Sequence, residues 1–296
     1  MSTAAFFGTG VAIVTPFLQN GEIDWDGLKK LIHHLSAGKV DYLVVMGTTG
    51  ENVALSKVEK QQIFQFVAAN NVANLPLVAG LGGNYTKEVL ENLSSVNLQG
   101  YQAILSVSPY YNKPNQEGIF QHYASIALNS PLPVILYNVP GRTGMNMTAK
   151  TTIKLAQTFS NIIAIKEASG NMEQIMQIIK DKPASFEVIS GDDGLALPLI
   201  AAGAIGVISV VANAFPRDFS AMIKHCLKGD FAAARPLHYS FTDIIPTLFA
   251  EGSPSGVKAY LSVLGVCGNY FRLPVYKVSD ELEQTIRGLM QQHQLA

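Results

Sequence analysis

Ile162-Ile163-Ala164-Ile165-Lys166-Glu167-Ala168-Ser169-Gly170 is a short apolar run that leads into a lysine and closes on a glycine. Strands buried on both faces of a parallel sheet read as continuous apolar runs rather than as alternation. A lysine there puts an amine at the end of a strand, in surroundings that penalise charge. Such surroundings favour the neutral amine, the form that attacks a carbonyl to give a Schiff base. Taken alone, a lysine at a strand end more often snorkels to solvent. Its companions along the chain decide between the two readings.

Short apolar runs recur on both sides of this segment. Strands are expected at 11–15, 42–46, 77–79, 103–107, 134–138, 163–166, 187–190 and 206–210. Helical patterns lie between and after them, near 27–37, 57–70, 86–98, 117–128, 149–159, 171–181, 193–202 and 217–228. Asp24 and Thr148 read as N-caps, and Ser56 with Glu59 as a capping box. Eight β-then-α units in succession, without long linkers, predict an α/β fold of the (β/α)8 TIM barrel type. A doubly wound open sheet is the alternative. Against it, no GxGxxG follows the first strand, only Gly8-Thr9-Gly10 ahead of it. From about Gly229 the pattern is helical only, at 230–249, 255–266 and 279–293. The expected organisation is a catalytic barrel over 1–228 and a C-terminal helical region over 229–296.

Of the 296 residues, 48% are apolar and 15% charged, which supports a large core and excludes disorder. The formal net charge is −1 and no basic stripe is visible, so nucleic acid and anionic membrane are poor partners. Cys226 and Cys267 stand far apart, without CxxC spacing. They fit buried free thiols in a reducing cytoplasm. No basic segment followed by a long apolar core opens the chain, so no secretory leader is expected, and no apolar run reaches spanning length.

In a barrel the active site gathers at the C-terminal ends of the strands, and the unusual residues fall there. The second strand runs into Gly47-Thr48-Thr49-Gly50-Glu51, where glycines let backbone approach a ligand and two hydroxyls add donors. That suits a carboxylate, although an ordinary glycine-rich turn reads the same way. The fourth strand ends in Ser108-Pro109-Tyr110-Tyr111-Asn112 and the fifth in Tyr137-Asn138-Val139-Pro140-Gly141-Arg142-Thr143-Gly144. Tyr137 comes from the strand next to that of Lys166, so its phenol is a candidate acid and base. Arg142 offers a rigid fork for a carboxylate. Gly191-Asp192-Asp193-Gly194 is another turn that brings backbone to the centre. Its paired carboxylates read as a charge pair at a helix N-terminus rather than as a cation site. None of His33, His34, His122, His225, His238 and His293 ends an expected strand or has HxH or HExxH spacing, which disfavours a metal. His33-His34 are expected on solvent or on a helix surface.

Together these motifs resemble the pyruvate-dependent class I aldolase family of dihydrodipicolinate synthase and N-acetylneuraminate lyase. The resemblance runs from Val11-Ala12-Ile13-Val14-Thr15-Pro16 to Arg272-Leu273-Pro274 and rests on GTTGE at 47–51, YNVPGRTG at 137–144 and IKEASG at 165–170. Within the family, SPYYNKP at 108–114 and the arginine of PGRTG are like the dihydrodipicolinate synthase branch. The sugar-acid lyases usually lack the second tyrosine and that arginine.

The resemblance implies that Lys166 forms the Schiff base with pyruvate and that Tyr137 is the acid/base group. Thr48, and Tyr111 given by a neighbouring subunit, would complete a proton relay. Thr49 would hold the pyruvate carboxylate, Arg142 would bind that of aspartate 4-semialdehyde, and Gly191 and Ile208 would line the pyruvate pocket. It implies a homotetramer built as a dimer of dimers, a step of lysine and diaminopimelate biosynthesis in the cytoplasm, and no cofactor or metal beyond the covalent imine on Lys166. A keto-sugar-acid lyase is the alternative within the family, and a barrel that binds without catalysis is the alternative outside enzymes. Lysine-inhibited relatives carry histidines after GTTGE at a regulatory site. Here Lys57 and Lys60 match those positions, while Asn84, Glu88 and Tyr110 match other residues of that site, so weak feedback by lysine is expected.

Overall fold

The protein is described by a computed structural model over residues 3–293. Eight parallel strands close in sequence order: β1 (Gly8–Ala12), β2 (Tyr42–Val45), β3 (Leu77–Gly80), β4 (Ala103–Val107), β5 (Val134–Asn138), β6 (Ile162–Glu167), β7 (Glu187–Ser190) and β8 (Gly206–Ser209), with β8 paired back onto β1. The barrel is thus a (β/α)8 TIM barrel, as the alternation predicts.

The outer ring holds α1 (Trp25–Ala37), α2 (Lys57–Asn70), α3 (Thr86–Ser95), α4 (Gln116–Asn129), a short α5 (Pro140–Thr143), α6 (Ala149–Thr158), α7 (Met172–Asp181), α8 (Ala196–Ala201) and α9 (Pro216–Leu227). Then come α10 (Phe231–Ser240), α11 (Ile244–Phe249), α12 (Ser255–Val263) and α13 (Asp280–His293). The expected caps form. Asp24 Oδ1 accepts from Gly27 N–H at 2.8 Å and Thr148 Oγ1 from Thr151 N–H at 3.3 Å. Ser56 and Glu59 close their reciprocal box. His33 is exposed, and the half-buried His34 lies with Nε2 3.3 Å from Ala214 O.

Several boundaries differ from expectation, and three of the differences have a visible cause. The first strand lies three residues earlier than 11–15. Glycines hide it: a side chain on Gly10 would sit 2.2 Å from the Tyr42 ring, and one on Gly206 2.0 Å from Gly8 O. Close strand contact selects glycine here, against its poor strand propensity. The segment 230–249 is two helices, α10 and α11, because the chain turns at Phe241, whose buried ring packs on Phe215 and Phe219. The eighth helix begins at Ala196 rather than 193, because Asp193 turns inward toward β8.

The core has two layers. Outward-facing strand residues such as Leu43, Leu136 and Val188 pack on the helices, while Val44, Val78, Leu105, Ile135, Ile189 and Ile208 fill the barrel interior. This alternation of faces is broken once. Val134 pairs with Ile162, yet the next residue, Ile135, pairs with Ala164. Ile163 and Ala164 both belong to the interior cluster. A bulge of one residue shifts the parity of everything that follows it. Lys166 therefore shares the inward face with Ala164, and Glu167 takes the outward one.

Candidate active site

Tyr137 and Lys166 are direct partners across β5 and β6. Lys166 is only 5% exposed, and its Nζ lies 4.4 Å from the centroid of the Tyr137 ring. Among the described residues no carboxylate pairs with it. The amine faces the barrel interior with the Tyr137 ring as its neighbour. Tyr137 is nearly as buried, so ring and amine form one lining of the barrel mouth.

One expected pocket residue, Gly191, lies against this pair, and a second, Ile208, faces the same barrel interior. A side chain on Gly191 would come within 3.0 Å of Lys166 Cε and 2.7 Å of Ala168 Cβ, so the glycine gives Lys166 its space. Ile208 lies inward on β8, fully buried. Thr48 and Thr49 occupy a 3-10 turn, Thr48–Gly50, at the end of β2. Thr48 is exposed and lines, with Tyr137, Leu105 and Val107, a small cavity of about 20 Å³. Thr49 is buried beside it. Arg142 sits exposed on α5 and shares a cleft of about 480 Å³ with Thr48, Val139 and Tyr110. Tyr111 stands apart. It is 87% exposed, in a left-handed backbone conformation (φ 71°), with its N–H donated to Thr143 O at 3.3 Å. A larger cavity of about 650 Å³, between α2 and α3, does not reach Lys166.

Beneath the pair lies a polar network that the motifs did not reveal. Glu167 is fully buried on the outward face, and Asn138 Nδ2 donates to both its oxygens at 3.1 Å. Ser169 N–H adds a bond at 2.8 Å and Gln174 Nε2 one at 3.3 Å. Burial pushes the Glu167 carboxyl above its ordinary range, and the bonds from Asn138, Ser169 and Gln174 pull against that shift. Because Asn138 follows Tyr137 and Glu167 follows Lys166, this network ties the two strand ends together one residue past the chemistry.

Asp192 and Asp193 divide their work, which corrects the expected charge pair. Asp192 Oδ1 accepts from Gly194 N–H at 2.9 Å and from Leu195 N–H at 3.3 Å. Asp193 is buried and its Oδ2 accepts from Val210 N–H at 3.0 Å and Val211 N–H at 3.2 Å, holding the turn after β8. Burial pushes its carboxyl up to about 6.

A model of the dihydrodipicolinate synthetase family matches residues 5–293. The chain belongs to this family. The 4-hydroxy-tetrahydrodipicolinate synthase of Parabacteroides distasonis is 50% identical over 285 residues, covering 96% of each chain. The crystal structure of dihydrodipicolinate synthase from Aquifex aeolicus matches with a TM-score of 0.94 at 39% identity, over 98% of this chain and 99% of that one. A crystal structure of the Cyanidioschyzon merolae dihydrodipicolinate synthase with lysine bound matches with a TM-score of 0.94 at 39% identity, over 99% of each chain.

In this family member a further pair escaped the reading of the sequence. Glu51, the last residue of the GTTGE motif, is buried and ion-paired to Lys258 of α12, which is itself fully buried. The one visible signal was a lone lysine within the apolar helix Val257-Lys258-Ala259-Tyr260-Leu261. A lysine in such a pattern ordinarily reaches solvent. No helix among the described residues is long and apolar enough to cross a membrane.

Proposed function

We infer that this chain condenses pyruvate with aspartate 4-semialdehyde to give 4-hydroxy-tetrahydrodipicolinate in lysine and diaminopimelate biosynthesis. The observation that carries the reading is the buried amine of Lys166 set against the Tyr137 ring in a barrel of this family. The Lys166 amine adds to the keto carbon of pyruvate and water leaves, forming an imine. The imine nitrogen acts as an electron sink, so a methyl proton is lost and an enamine forms. The enamine carbon attacks the aldehyde, making the new carbon–carbon bond. The amine of the second substrate then closes onto the former keto carbon, displacing Lys166 and releasing the cyclic product.

Every step moves a proton, and the small cavity that Tyr137 and Thr48 both line supports a relay through their hydroxyls. Thr49 holds the pyruvate carboxylate, with Gly191 and Ile208 shaping that pocket. Arg142, in the cleft with Thr48, takes the carboxylate of the aldehyde substrate. The covalent imine supplies the electron sink, so the path as written calls for no further cofactor or metal. The reading places the enzyme in the cytoplasm, with 1–228 as the catalytic barrel and 229–296 as the helical region that braces it.

Tyr111 completes the relay from a neighbouring subunit of a homotetramer, a dimer of dimers. Its exposure and strained backbone support this, since its side chain is left 87% exposed. Mixed oligomers of Tyr111→Phe and Lys166→Ala subunits test the arrangement. Recovered activity is expected, and verified mixed dimers that stay inactive would remove Tyr111 from the neighbour's site.

Borohydride trapping with pyruvate, followed by peptide mapping, tests the central assignment. The label should fall on Lys166, and Lys166→Ala should stay folded while losing nearly all turnover. A label elsewhere, or none, overturns it. Faster cleavage of N-acetylneuraminate than condensation with aspartate 4-semialdehyde would favour the sugar-acid lyase.

A further inference from the structure

The turn that presents Thr48 and Thr49 is bracketed by two non-glycine residues in the left-handed region, Met46 (φ 63°) and Glu51 (φ 53°). Such conformations persist where surrounding contacts over-determine them, and they concentrate at functional sites. Both brackets are held from outside the turn. Asn52 Nδ2 donates to Met46 O at 2.9 Å, and the same carbonyl lies where a side chain on Gly80 would come within 2.3 Å of it. Glu51 is held by Lys258. Between them, Thr15 Oγ1 donates to Gly50 O at 2.7 Å.

The Lys258 end of this contact is built in detail. Its ammonium donates to Tyr270 O at 3.1 Å and lies 4.4 Å from the centroid of the Phe17 ring and 4.7 Å from that of Phe271. The next residue, Arg272, forks onto Glu59 at 2.6 and 3.0 Å and donates to Ala54 O at 3.0 Å. The C-terminal region therefore grips the chain just beyond the threonine turn at two points. A buried ion pair contributes little net stability compared with apolar residues of the same volume, because both charges must be stripped of water. Its geometry is nonetheless specific, since either charge left alone is costly.

We propose that Lys258 and Glu51 are positioning residues for catalysis, through which the C-terminal helical region fixes the placement of Thr48 and Thr49. The proposal rests on the roles given to those threonines above. It assigns to the appendage a part in the reaction, beyond covering the barrel. Neither Glu51 nor Lys258 lines the cavity or the cleft that Thr48 lines. The pair acts through the turn, whose two hydroxyls serve the relay and the pyruvate carboxylate.

Three full-length variants test it: Glu51→Gln, Lys258→Met, and the double replacement. Thermal midpoint, kcat and both KM values are measured well below the midpoint of each. Lys258→Met should lower the midpoint and cut kcat by about 10–10²-fold, the scale of a 1 Å misplacement of a catalytic group. KM for pyruvate should rise. KM for aspartate 4-semialdehyde should hold, because Arg142 stands on a different loop. The double variant separates the two roles. With no unpaired charge left, its midpoint should return toward that of the wild type, while kcat stays low. Return of kcat together with the midpoint would reduce the pair to a structural role and overturn the proposal. So would single variants that lose stability but keep kcat and KM. If Lys258→Met does not fold, Glu51→Gln, which keeps an acceptor for the ammonium, and Asn52→Ala, at the other bracket, carry the same kinetic test. Thr48→Val is run alongside. If it keeps full kcat, the threonine role fails; if it loses kcat while all the positioning variants keep theirs, only the present proposal fails.

Discussion

Lys166 faces Tyr137 across the β5–β6 pair because the bulge at Ile163 puts both side chains on the inner face of the barrel. The amine rests 4.4 Å from the ring centroid. One strand irregularity therefore decides whether the lysine points at the substrate or into the helix layer.

Tyr137→Phe keeps the ring that Lys166 packs on and deletes only the hydroxyl. A general acid/base role predicts a fall in kcat of about 10²–10⁴-fold with imine trapping on Lys166 retained. Near-normal kcat in steady-state assays would show that the ring merely packs.

Gly191→Ala should disturb the amine directly. The added methyl would come within 3.0 Å of Lys166 Cε and 2.7 Å of Ala168 Cβ. Overpacking of this kind costs about 1–3 kcal/mol, and displacing the amine by about 1 Å costs up to about 10²-fold in rate. A lowered thermal midpoint and slower trapping by borohydride are expected. Wild-type trapping kinetics would mean that Lys166 has room to spare.

Arg142→Ala should raise KM for aspartate 4-semialdehyde far more than KM for pyruvate. Loss of a charge-assisted contact of about 1.5–3 kcal/mol corresponds to roughly 10–10²-fold. Lysine at this position should not restore it, because the planar fork is lost. Equal changes in the two KM values would argue for a general effect on the loop.

Asp193 predicts a dependence of stability on pH. Its folded carboxyl titrates near 6, against an ordinary value of 3.8. Between these values the folded state holds the proton more tightly than the unfolded one, so stability falls as pH rises through this window and levels off above it. The shift corresponds to roughly 3 kcal/mol. Asp193→Asn should remove this slope while leaving an oxygen for Val210 and Val211 N–H. Its stability relative to wild type should therefore improve from pH 4 to pH 7. Urea unfolding across that range measures it, and parallel profiles for the two proteins would contradict the assignment.

Free lysine should inhibit weakly or not at all. Lys57, Lys60 and Glu88 line the cavity between α2 and α3, and Lys60, Asn84, Glu88 and Tyr110 line the adjoining cleft. Burial lowers the Lys60 ammonium, Glu88 opposes that shift, and Lys57 adds to it. A lysine ligand would bring two more ammonium groups. Two like charges at about 4 Å repel by about 4 kcal/mol at an effective dielectric near 20. Glu88 attracts one of them, and the cations outnumber it. A lysine titration at saturating pyruvate decides the matter, and strong inhibition below millimolar concentration would show that the added lysines point away from the ligand.

Eight apolar runs alternating with helical periodicity are enough to specify the barrel and the residues that end its strands. Those signals are local: strand burial, caps and turns are written within a few residues of where they act. The same order of residues puts Lys166, Tyr137, Thr48, Thr49 and Arg142 at or just past strand ends, because each closes an apolar run or lies in the segment that follows one. The true start of β1 was hidden because Gly8 and Gly10 are chosen for contact with Asp41 and Tyr42, not for strand propensity. The inward aim of Lys166 depends on a bulge that no periodicity records, since Ile162, Ile163, Ala164 and Ile165 are all apolar. The partnership of Glu51 with Lys258 joins residues 207 positions apart, and Asn213 bonds to Ala12 O across 201. Either charge of the Glu51–Lys258 pair left alone would be costly, and only the packing of α12 against the barrel brings the two together.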